Sequence, residues 1–313
     1  MKYSPIVVFA YNRPDLLQQT LLSLRKCRLA SISDLYIFID GPRNEADIPK
    51  VNDVREIAGH INGFKSVTCK ASNVNKGLAN SVIAGVTEII NKFEKVIVVE
   101  DDLYVSPGFL EFMNFMLTKY ENDERIFQVS GYGVKINLPK DYTYDYYINI
   151  RAHSWTWGTW KDRWETIDWQ VKDFSNLLRD KKKQQEFNNG GSDLFGMLKG
   201  YMTHKNDSWY IRFTYAMFCQ HRYAVMPVRS LVLNNGFGKE STHCHVYNRY
   251  KVDFNQEGYG DWSKPNKIEF NYRISKEAVK YWSIPYRIYG KIRTLLMKIV
   301  SYNKRKIKKQ QGI

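Results

Sequence analysis

The 313-residue chain has few of the features that mark several common protein classes. No apolar stretch reaches the roughly 18 residues of a membrane-spanning helix, and the first ten residues lack the pattern of a signal peptide. The four cysteines lie far apart without a CxxC pair, which argues against a disulfide framework or a zinc site and fits a reducing cytoplasm. Neither GxGxxG after the first predicted strand nor GxxxxGKS or GxxxxGKT occurs, which disfavours dinucleotide-binding and P-loop proteins.

Acidic residues are absent from the C-terminal end of the sequence. Residues 286–313 hold nine Lys and Arg and no Asp or Glu, in a chain of net charge +15. Apolar residues from Ile288 to Ile299 keep helical spacing, so the pattern predicts a basic amphipathic tail that binds an anionic membrane surface. The alternative is a helix packed on the domain and followed by a disordered basic end. Because much of the excess charge lies in the tail, no nucleic-acid partner is expected.

The first 130 residues alternate between two apolar periods. Short apolar runs predict strands at Ile6–Tyr11, Leu35–Asp40, Val67–Ser72, Lys95–Glu100 and Ile126–Ser130. Helical spacing fills the intervals after the first, second, third and fourth of these runs. This alternation predicts a parallel sheet with helices on both faces. Residues 179–193 are polar, and we expect them to form a mobile loop or turn that orders over a bound ligand.

Polar residues follow three of the predicted strands. They are Asn12 and Arg13, Asp40, and the triplet 100–102, which is Glu-Asp-Asp. Ligands of open parallel sheets bind beyond the carboxyl ends of the strands. Three consecutive acids at a buried strand end repel one another, so they favour a hard cation such as Mg²⁺ or Mn²⁺. The alternative is a solvated turn that caps the next helix.

Five segments together resemble a known family. They are VVFAYNRP at 7–14, FIDG at 38–41, NKGLA at 75–79, VIVVEDDL at 96–103 and VSPGFL at 105–110. Their order and spacing resemble the nucleotide-sugar half of GT-A glycosyltransferases, specifically the family-2-like bacterial sugar transferases and, more distantly, N-acetylglucosaminyltransferase I. The resemblance covers roughly residues 5–245.

This resemblance implies a fold and a division of the chain. The fold is a Rossmann-like GT-A α/β fold, with a mixed, mostly parallel sheet flanked by helices and a C-terminal amphipathic helical tail. Residues 1–131 would form the nucleotide-sugar-binding half, and residues 132–284 the acceptor-binding and catalytic half of the same domain. Residues 285–313 would be the basic tail.

The resemblance also implies residues that hold the donor. Ala10 and Arg13 would line the nucleoside and phosphate pocket. Asp40 would accept a hydrogen bond from the base, typically uracil N3–H, and Lys76 and Asn80 would lie near the diphosphate or the base. For each residue taken singly there is an alternative, which is an ordinary surface arginine for Arg13 and a turn former for Asp40.

A second implied group surrounds the metal ion. Asp102 would bind Mn²⁺ or Mg²⁺, and Glu100 and Asp101 would contact the ribose and the donor sugar. The glycine-rich segment 236–245 resembles a family loop that carries a late histidine. His243 would then be a metal or diphosphate ligand and Lys239 would offset phosphate charge, with a structural role for the histidine as the alternative.

An inverting transferase needs a carboxylate that deprotonates the acceptor hydroxyl. Asp207, next to Ser208 and Trp209, matches the family pattern, although Ser208 stands where a second acid is common. A helix N-cap is the alternative role for Asp207. Rival bases are Asp162, Glu165, Asp168 and Asp193.

Five tryptophans lie between residues 153 and 169. Aromatic faces stack on sugars, but most tryptophans pack in cores. We expect Trp155, Trp157 and Trp160 near the donor sugar, and Trp164 and Trp169 in the core.

These patterns predict a metal-dependent enzyme that moves a sugar from a nucleoside diphosphate sugar, with UDP favoured by the resemblance. The acceptor would be a glycan or lipid-linked glycan in surface polysaccharide biosynthesis, and the protein would lie in the cytoplasm, peripherally on the inner face of the cell membrane. A nucleotidyltransferase acting on sugar phosphates is an alternative, although it usually has a glycine-rich basic loop where this chain has residues 11–14. A basic nucleic-acid-binding module is another.

Overall fold

The computed structural model describes residues 3–237, 247–266 and 268–310, with side chains up to residue 299. Strands and helices alternate up to residue 129, with short 3₁₀ turns at Ala30–Ile32 and Glu45–Asp47. These elements are β1 (Ile6–Ala10), α1 (Pro14–Arg25), β2 (Asp34–Ile39), α2 (Ile48–His60), β3 (Ser66–Ala71), α3 (Leu78–Phe93), β4 (Lys95–Glu100), β5 (Leu103–Val105), α4 (Phe109–Lys119) and β6 (Ile126–Val129).

Helices dominate the remainder of the chain. A 3₁₀ turn at Lys280–Trp282 precedes the last helix. The elements are β7 (Tyr146–Asn149), β8 (Thr156–Trp160), α5 (Lys161–Trp164), α6 (Phe174–Arg179), α7 (Lys181–Asn188), α8 (Leu194–Met202), α9 (Trp209–Cys219), β9 (Tyr223–Pro227), β10 (Val232–Asn234), α10 (Tyr272–Val279) and α11 (Ile284–Gln310).

Eight of these strands form one sheet in the order β3-β2-β1-β4-β8-β6-β9-β7. The neighbours from β3 to β4 are parallel, as are β6 and β9, whereas β8 is antiparallel to β4 and β6, and β7 to β9. β5 and β10 form a separate antiparallel pair. The predicted mixed, mostly parallel sheet flanked by helices is therefore confirmed, and strands from both sides of residue 131 interleave in it.

Burial in β1 shows why a continuous apolar run marks a central strand. All five residues from Ile6 to Ala10 are buried, although successive side chains point to opposite faces of the sheet. Both faces are therefore covered at this point. On one of them Gly85 of α3 lets the ring of Phe9 approach, since a Cβ on Gly85 would lie only 2.7 Å from that ring.

Residues 179–193 do not form the expected loop. Most of the segment is α7, whose N-terminus is capped by Asp180 accepting a hydrogen bond from Lys183 N. Phe187 is buried between the rings of Tyr215 and Phe218. The prediction was wrong because so few residues of this short helix are buried that no apolar period is visible in the sequence.

The C-terminal segment is helical, as predicted, over Ile284–Gln310. In the part of the chain that the structure describes, no helix is both long and apolar enough to cross a membrane.

Candidate active site

A cavity of about 300 Å³ opens at the carboxyl ends of β1 and β2. Four of the residues predicted to hold the donor line it, namely Ala10, Arg13, Asp40 and Asp101. They meet because parallel strands deliver the residues that follow them to one edge of the sheet. Asn12, which the sequence also placed at this strand end, lines the wall, as do Tyr11, Arg43, Asp47, Asn75 and Gly77, for which the sequence predicted no role.

Asp40 holds the loop between β3 and α3 against the end of β2. Its Oδ1 accepts hydrogen bonds from Gly41 N at 3.0 Å and Lys76 N at 2.8 Å, and its Oδ2 accepts one from Gly77 N at 2.9 Å. A carboxylate oxygen has about two acceptor sites, so Oδ2 keeps one for a ligand. The buried carboxylate thus shapes the cavity wall whether or not it contacts a base.

Two predicted donor residues are not in the wall of this cavity. Lys76 is exposed and lines a neighbouring cavity of about 180 Å³ together with Asp40. Asn80 is also exposed, and its Nδ2 donates to Lys76 O at 2.9 Å within the first turn of α3. Asn80 therefore supports the loop rather than facing the cavity.

Tyr11, Asn12 and Asp47 form a hydrogen-bonded corner on the β1 side of the cavity. The Asp47 carboxylate accepts hydrogen bonds from Tyr11 Oη at 2.6 Å and from Asn12 Nδ2 at 2.9 Å. The hydrogen bond from Tyr11 lowers the pKa of Asp47. Arg43 N donates to Tyr11 Oη at 3.0 Å. No motif could have revealed this corner, because a short 3₁₀ turn brings Asp47 back to β1.

Beside the cavity, the three acids at the end of β4 lie next to Arg13. We call Arg13, Glu100, Asp101 and Asp102 the acidic cluster. Arg13 makes ion pairs with both aspartates, at 2.8 Å to Asp102 Oδ2, and with Asp101 Oδ1. Both aspartates are buried. Arg13 follows β1, which is parallel to and adjacent to β4, so the pairing follows from strand order.

The acidic cluster carries more negative charge than its arginine neutralises. Burial raises the pKa of Asp101 to about 6, and Arg13 offsets this only in part. Burial and the neighbouring Asp102 raise the pKa of Glu100 well above its usual value. The cluster would therefore gain from a further cation.

Asp102 supplies an observation that bears on a metal ion. Its Oδ1 is buried and has no hydrogen-bond partner among the described residues. Gly236 packs on the same carboxylate, since a Cβ there would lie 2.2 Å from Oδ2. Within residues 3–237, 247–266 and 268–310, no three Asp, Glu, His or Cys side chains form a ready-made cage. One free carboxylate oxygen fits Mg²⁺ or Mn²⁺, which completes its shell with phosphate and water oxygens.

Asp207 lies near one wall residue of the same cavity, although it is not itself one of the lining residues. A Cβ on Gly77, a wall residue, would lie 4.0 Å from Asp207 Oδ2. The cap of α9 is Ser208, whose Oγ accepts from Ile211 N, so the N-cap role does not occupy Asp207. Asp207 is held at 3.4 Å from the Nη2 of buried Arg212, and its side chain remains 58% exposed.

The rival bases differ from Asp207 in their surroundings. Asp193 makes two hydrogen bonds of 2.9 Å with the guanidinium of buried Arg151. Asp162 pairs with Arg163, and Asp168 accepts hydrogen bonds from the backbone of residues 170 and 172. Glu165 is exposed at the end of α5.

The tryptophans divide differently from the prediction. Trp157 and Trp160 are buried in the core, so their placement near a donor sugar was wrong. Trp157 stacks on Trp164 and Trp209, and Trp169 packs against Trp164. Position within β8 decides this, because its residues are covered on both faces.

Trp155 is half-buried just before β8, where its O accepts a hydrogen bond from Glu100 N at 3.4 Å. Its ring contacts those of Phe237 and Tyr250, at 5.8 and 5.7 Å between centroids. An aromatic rim therefore borders the acidic cluster on the side away from β1. The predicted ligands Lys239 and His243 lie outside the described residues.

No protein-family model matches the chain, and no curated protein matches it either. Solved structures do match. Residues 1–349 of TarS from S. aureus share 12% identity and a TM-score of 0.41, over 75% of this chain and 61% of that one. The mannosyltransferase PcManGT from Pyrobaculum calidifontis, solved with GDP-Man and Mn²⁺, shares 11% identity over 70% of each chain, with a TM-score of 0.38.

Mouse xyloside xylosyltransferase 1 shares 11% identity with a TM-score of 0.35, over 71% of this chain and 84% of that one. The activities named among these structures are glycosyl transfers. The chain spans 61% of the length of the TarS fragment.

Proposed function

We propose that the protein is a metal-dependent glycosyltransferase that uses a nucleoside diphosphate sugar, with UDP as the nucleotide. The observation that carries this proposal is the polar cavity at the ends of β1 and β2, together with the unpartnered, buried Oδ1 of the adjacent Asp102. The cavity offers hydrogen-bonding groups for a nucleoside, and the acidic cluster lies where its diphosphate would follow.

The strand order supports an arrangement of the substrate along the sheet edge. The nucleoside would lie at β1 and β2, the diphosphate at the end of β4, and the sugars towards the aromatic rim before β8. Arg13 pairs with both aspartates and would bind the diphosphate. A Mn²⁺ or Mg²⁺ ion on Asp102, completed by phosphate oxygens, would stabilise the charge of the leaving diphosphate.

Asp207 is the proposed base. Its exposed carboxylate would take the proton of an acceptor hydroxyl as that oxygen bonds to the anomeric carbon. The bond from the anomeric carbon to the diphosphate breaks in the same step, and its electron pair leaves with the diphosphate. A single displacement from the opposite face inverts the anomeric centre.

The surroundings of the cluster support a sugar-containing acceptor. Half-buried Trp155, Phe237 and Tyr250 form an aromatic rim on which a sugar ring can stack. We therefore propose a glycan or lipid-linked glycan acceptor in surface polysaccharide biosynthesis, reached from the inner face of the cell membrane. Residues 1–131 would hold the donor and residues 132–284 the acceptor.

A thermal-shift panel tests the donor. UDP, UDP-sugars, GDP-mannose and sugar 1-phosphates with nucleoside triphosphates would be added with and without Mn²⁺. A UDP-sugar should raise the melting temperature in a metal-dependent way, because a ligand that binds the folded state stabilises it. Asp102→Asn should lose this shift, whereas the exposed Asp253→Asn, as matched control, should keep it.

Other outcomes would contradict the proposal. A shift with a sugar phosphate and nucleoside triphosphate but no UDP-sugar would indicate a nucleotidyltransferase. No shift with any nucleotide in the folded protein would favour a binding module.

The base is tested with the donor thus identified. Asp207→Asn should lower kcat about 100- to 10,000-fold while the donor still raises the melting temperature. Glu165→Gln is the matched control and should keep full activity. Equal activity of the two variants would exclude Asp207 as the base.

A further inference from the structure

Helix α11 contacts the rest of the protein through small and polar groups and through the rings of two tyrosines, Tyr286 and Tyr289. Arg287 Nη1 donates to Ser192 O at 3.0 Å, and Tyr247 N donates to Thr294 Oγ1 at 2.9 Å. Gly290 is buried against Arg249, where a Cβ would lie 3.2 Å from Cδ. The inward face of the helix is therefore the one with few large apolar side chains.

Eight large apolar side chains of α11 among those that the structure describes are exposed instead, at 47 to 60% of their accessible surface. They are Ile284, Ile288, Tyr289, Ile292, Leu295, Leu296, Met297 and Ile299. At about 100° per residue, Ile284, Ile288, Ile292, Leu295 and Ile299 form one stripe, and Arg287, Gly290 and Thr294 lie on the opposite side. A continuous exposed apolar surface of this kind marks an interaction site.

Charge identifies what would cover this stripe. Lys291 and Lys298 flank it on one side by the same spacing, whereas Arg293 lies over the ring of Tyr247, with its Cζ 5.1 Å from the ring centroid. Residues 286–313 carry nine basic residues and no acid. Two such helices from two copies would repel each other, whereas an anionic surface complements them. A bilayer with anionic headgroups offers both the apolar region and the negative charge.

We propose that α11 lies in the plane of an anionic lipid bilayer, with its outward apolar stripe in the boundary between headgroups and acyl chains. Lys291 and Lys298 contact the lipid phosphates. The membrane location mentioned above thereby gains a surface and an orientation of the helix. The proposal does not depend on the reaction assigned to the cavity, so the two fail separately.

Vesicle co-sedimentation of the full chain tests it, with phosphatidylcholine alone and with phosphatidylcholine plus phosphatidylglycerol. The protein should sediment with the anionic vesicles and not with the neutral ones, less so at high salt. Ile292→Asp and Leu295→Asp should each weaken this binding about tenfold or more. Leu178→Asp, at another exposed leucine, is the matched control and should bind like the unaltered protein.

The altered positions are exposed, so both variants should keep the melting temperature of the unaltered protein. Lys291→Gln combined with Lys298→Gln should weaken binding to anionic vesicles and leave the nucleotide response unchanged. Equal binding by Ile292→Asp and the control would overturn the proposal. The proposal would also be overturned if light scattering without lipid showed a dimer that Ile292→Asp dissociates. A second copy of the chain would then cover the stripe.

Discussion

Arg151 and Arg13 each pair with carboxylates that are largely removed from solvent, and the two clusters differ in charge balance. Arg151 meets one carboxylate, that of Asp193, whereas Arg13 lies beside three acids in succession. Arg151 has a side chain only 3% exposed, and Arg13 one that is 23% exposed. Arg151 and Asp193 balance each other's charge, whereas the acidic cluster has excess negative charge that a bound cation would offset.

The Arg151 pair is balanced in charge and has further contacts, although the buried Nε of Arg151 has no hydrogen-bond partner among the described residues. Nη1 also donates to Gly190 O at 2.9 Å, and the guanidinium lies 4.3 Å from the centroid of the Trp282 ring. Two parallel hydrogen bonds to Asp193 use both carboxylate oxygens. This ion pair joins the end of β7 to the start of α8. The two charges cancel, so no net charge remains for another partner.

The acidic cluster lacks this balance of charge. Arg13 divides its donors between Asp101 and Asp102, and Asp102 Oδ1 stays unpartnered. The excess charge is the physical reason to regard this cluster, and not the Arg151 pair, as a site for a cation and a diphosphate. The distinction rests on charge balance and not on burial, since both clusters are largely buried.

The largest expected effect is on the balanced pair. Arg151→Met should lower the free energy of unfolding by about 3–5 kcal/mol, because it leaves the Asp193 carboxylate without its buried partner. Urea unfolding at neutral pH measures this. Arg229→Met, which breaks the exposed pair with Asp253, is the control and should cost under about 0.5 kcal/mol. Similar losses in the two variants would break the comparison.

A smaller effect concerns the protonation of His153, which would place a second positive charge beside Arg151. Burial, aided by Arg151, lowers the pKa of His153 to about 3. The unfolded chain takes up this proton near pH 6.5, so stability should fall as the pH drops from about 6.5 towards 3. At pH 5 the loss should be about 2 kcal/mol.

His153→Phe keeps a ring between Tyr132 and Trp282 and removes the titrating group. It should flatten this part of the pH dependence, measured as urea midpoints from pH 7 to pH 5. An unchanged slope in the variant would show that His153 takes up its proton in the folded protein as readily as in the unfolded chain.

The smallest expected effect distinguishes the clusters by its sign. Asp102→Asn should raise the unfolding free energy of the metal-free protein by about 1 kcal/mol, because it relieves repulsion among buried carboxylates. Asp193→Asn should lower it, because it removes the charge that Arg151 requires. Thermal unfolding without added metal compares the two. A loss of stability in both variants would mean that Arg13 already balances the acidic cluster.

Local pattern was enough to place much of the sheet and part of the site. Strand β4 has the predicted bounds, Lys95–Glu100, since a strand buried on both faces is a continuous apolar run. The acids at its end and Arg13 after β1 were found by the rule that ligands bind at the carboxyl ends of parallel strands. Asp47 was missed, because its place in the cavity depends on a turn without a motif.

Asp207 shows where the sequence needed the tertiary structure. The residue was chosen from a family pattern, with an N-cap role equally open. Its place beside Gly77 depends on the packing of α9 on α3 and on the ring of Trp209, which stacks 4.9 Å from that of Trp157. Contacts between residues so distant in the chain leave no periodic signal.

Sequence alone determined most strands and helices of the first 130 residues, because a buried backbone segment shows its burial as an apolar period of two or 3.6 residues, but it did not predict helix α7. It also determined that acids end a central strand and that basic residues end the chain. Only the tertiary structure decided that Arg13 pairs with Asp101 and Asp102, and that α11 turns its apolar stripe outward. An apolar period predicts that a helix has an apolar face, whereas the surface that this face meets depends on long-range packing.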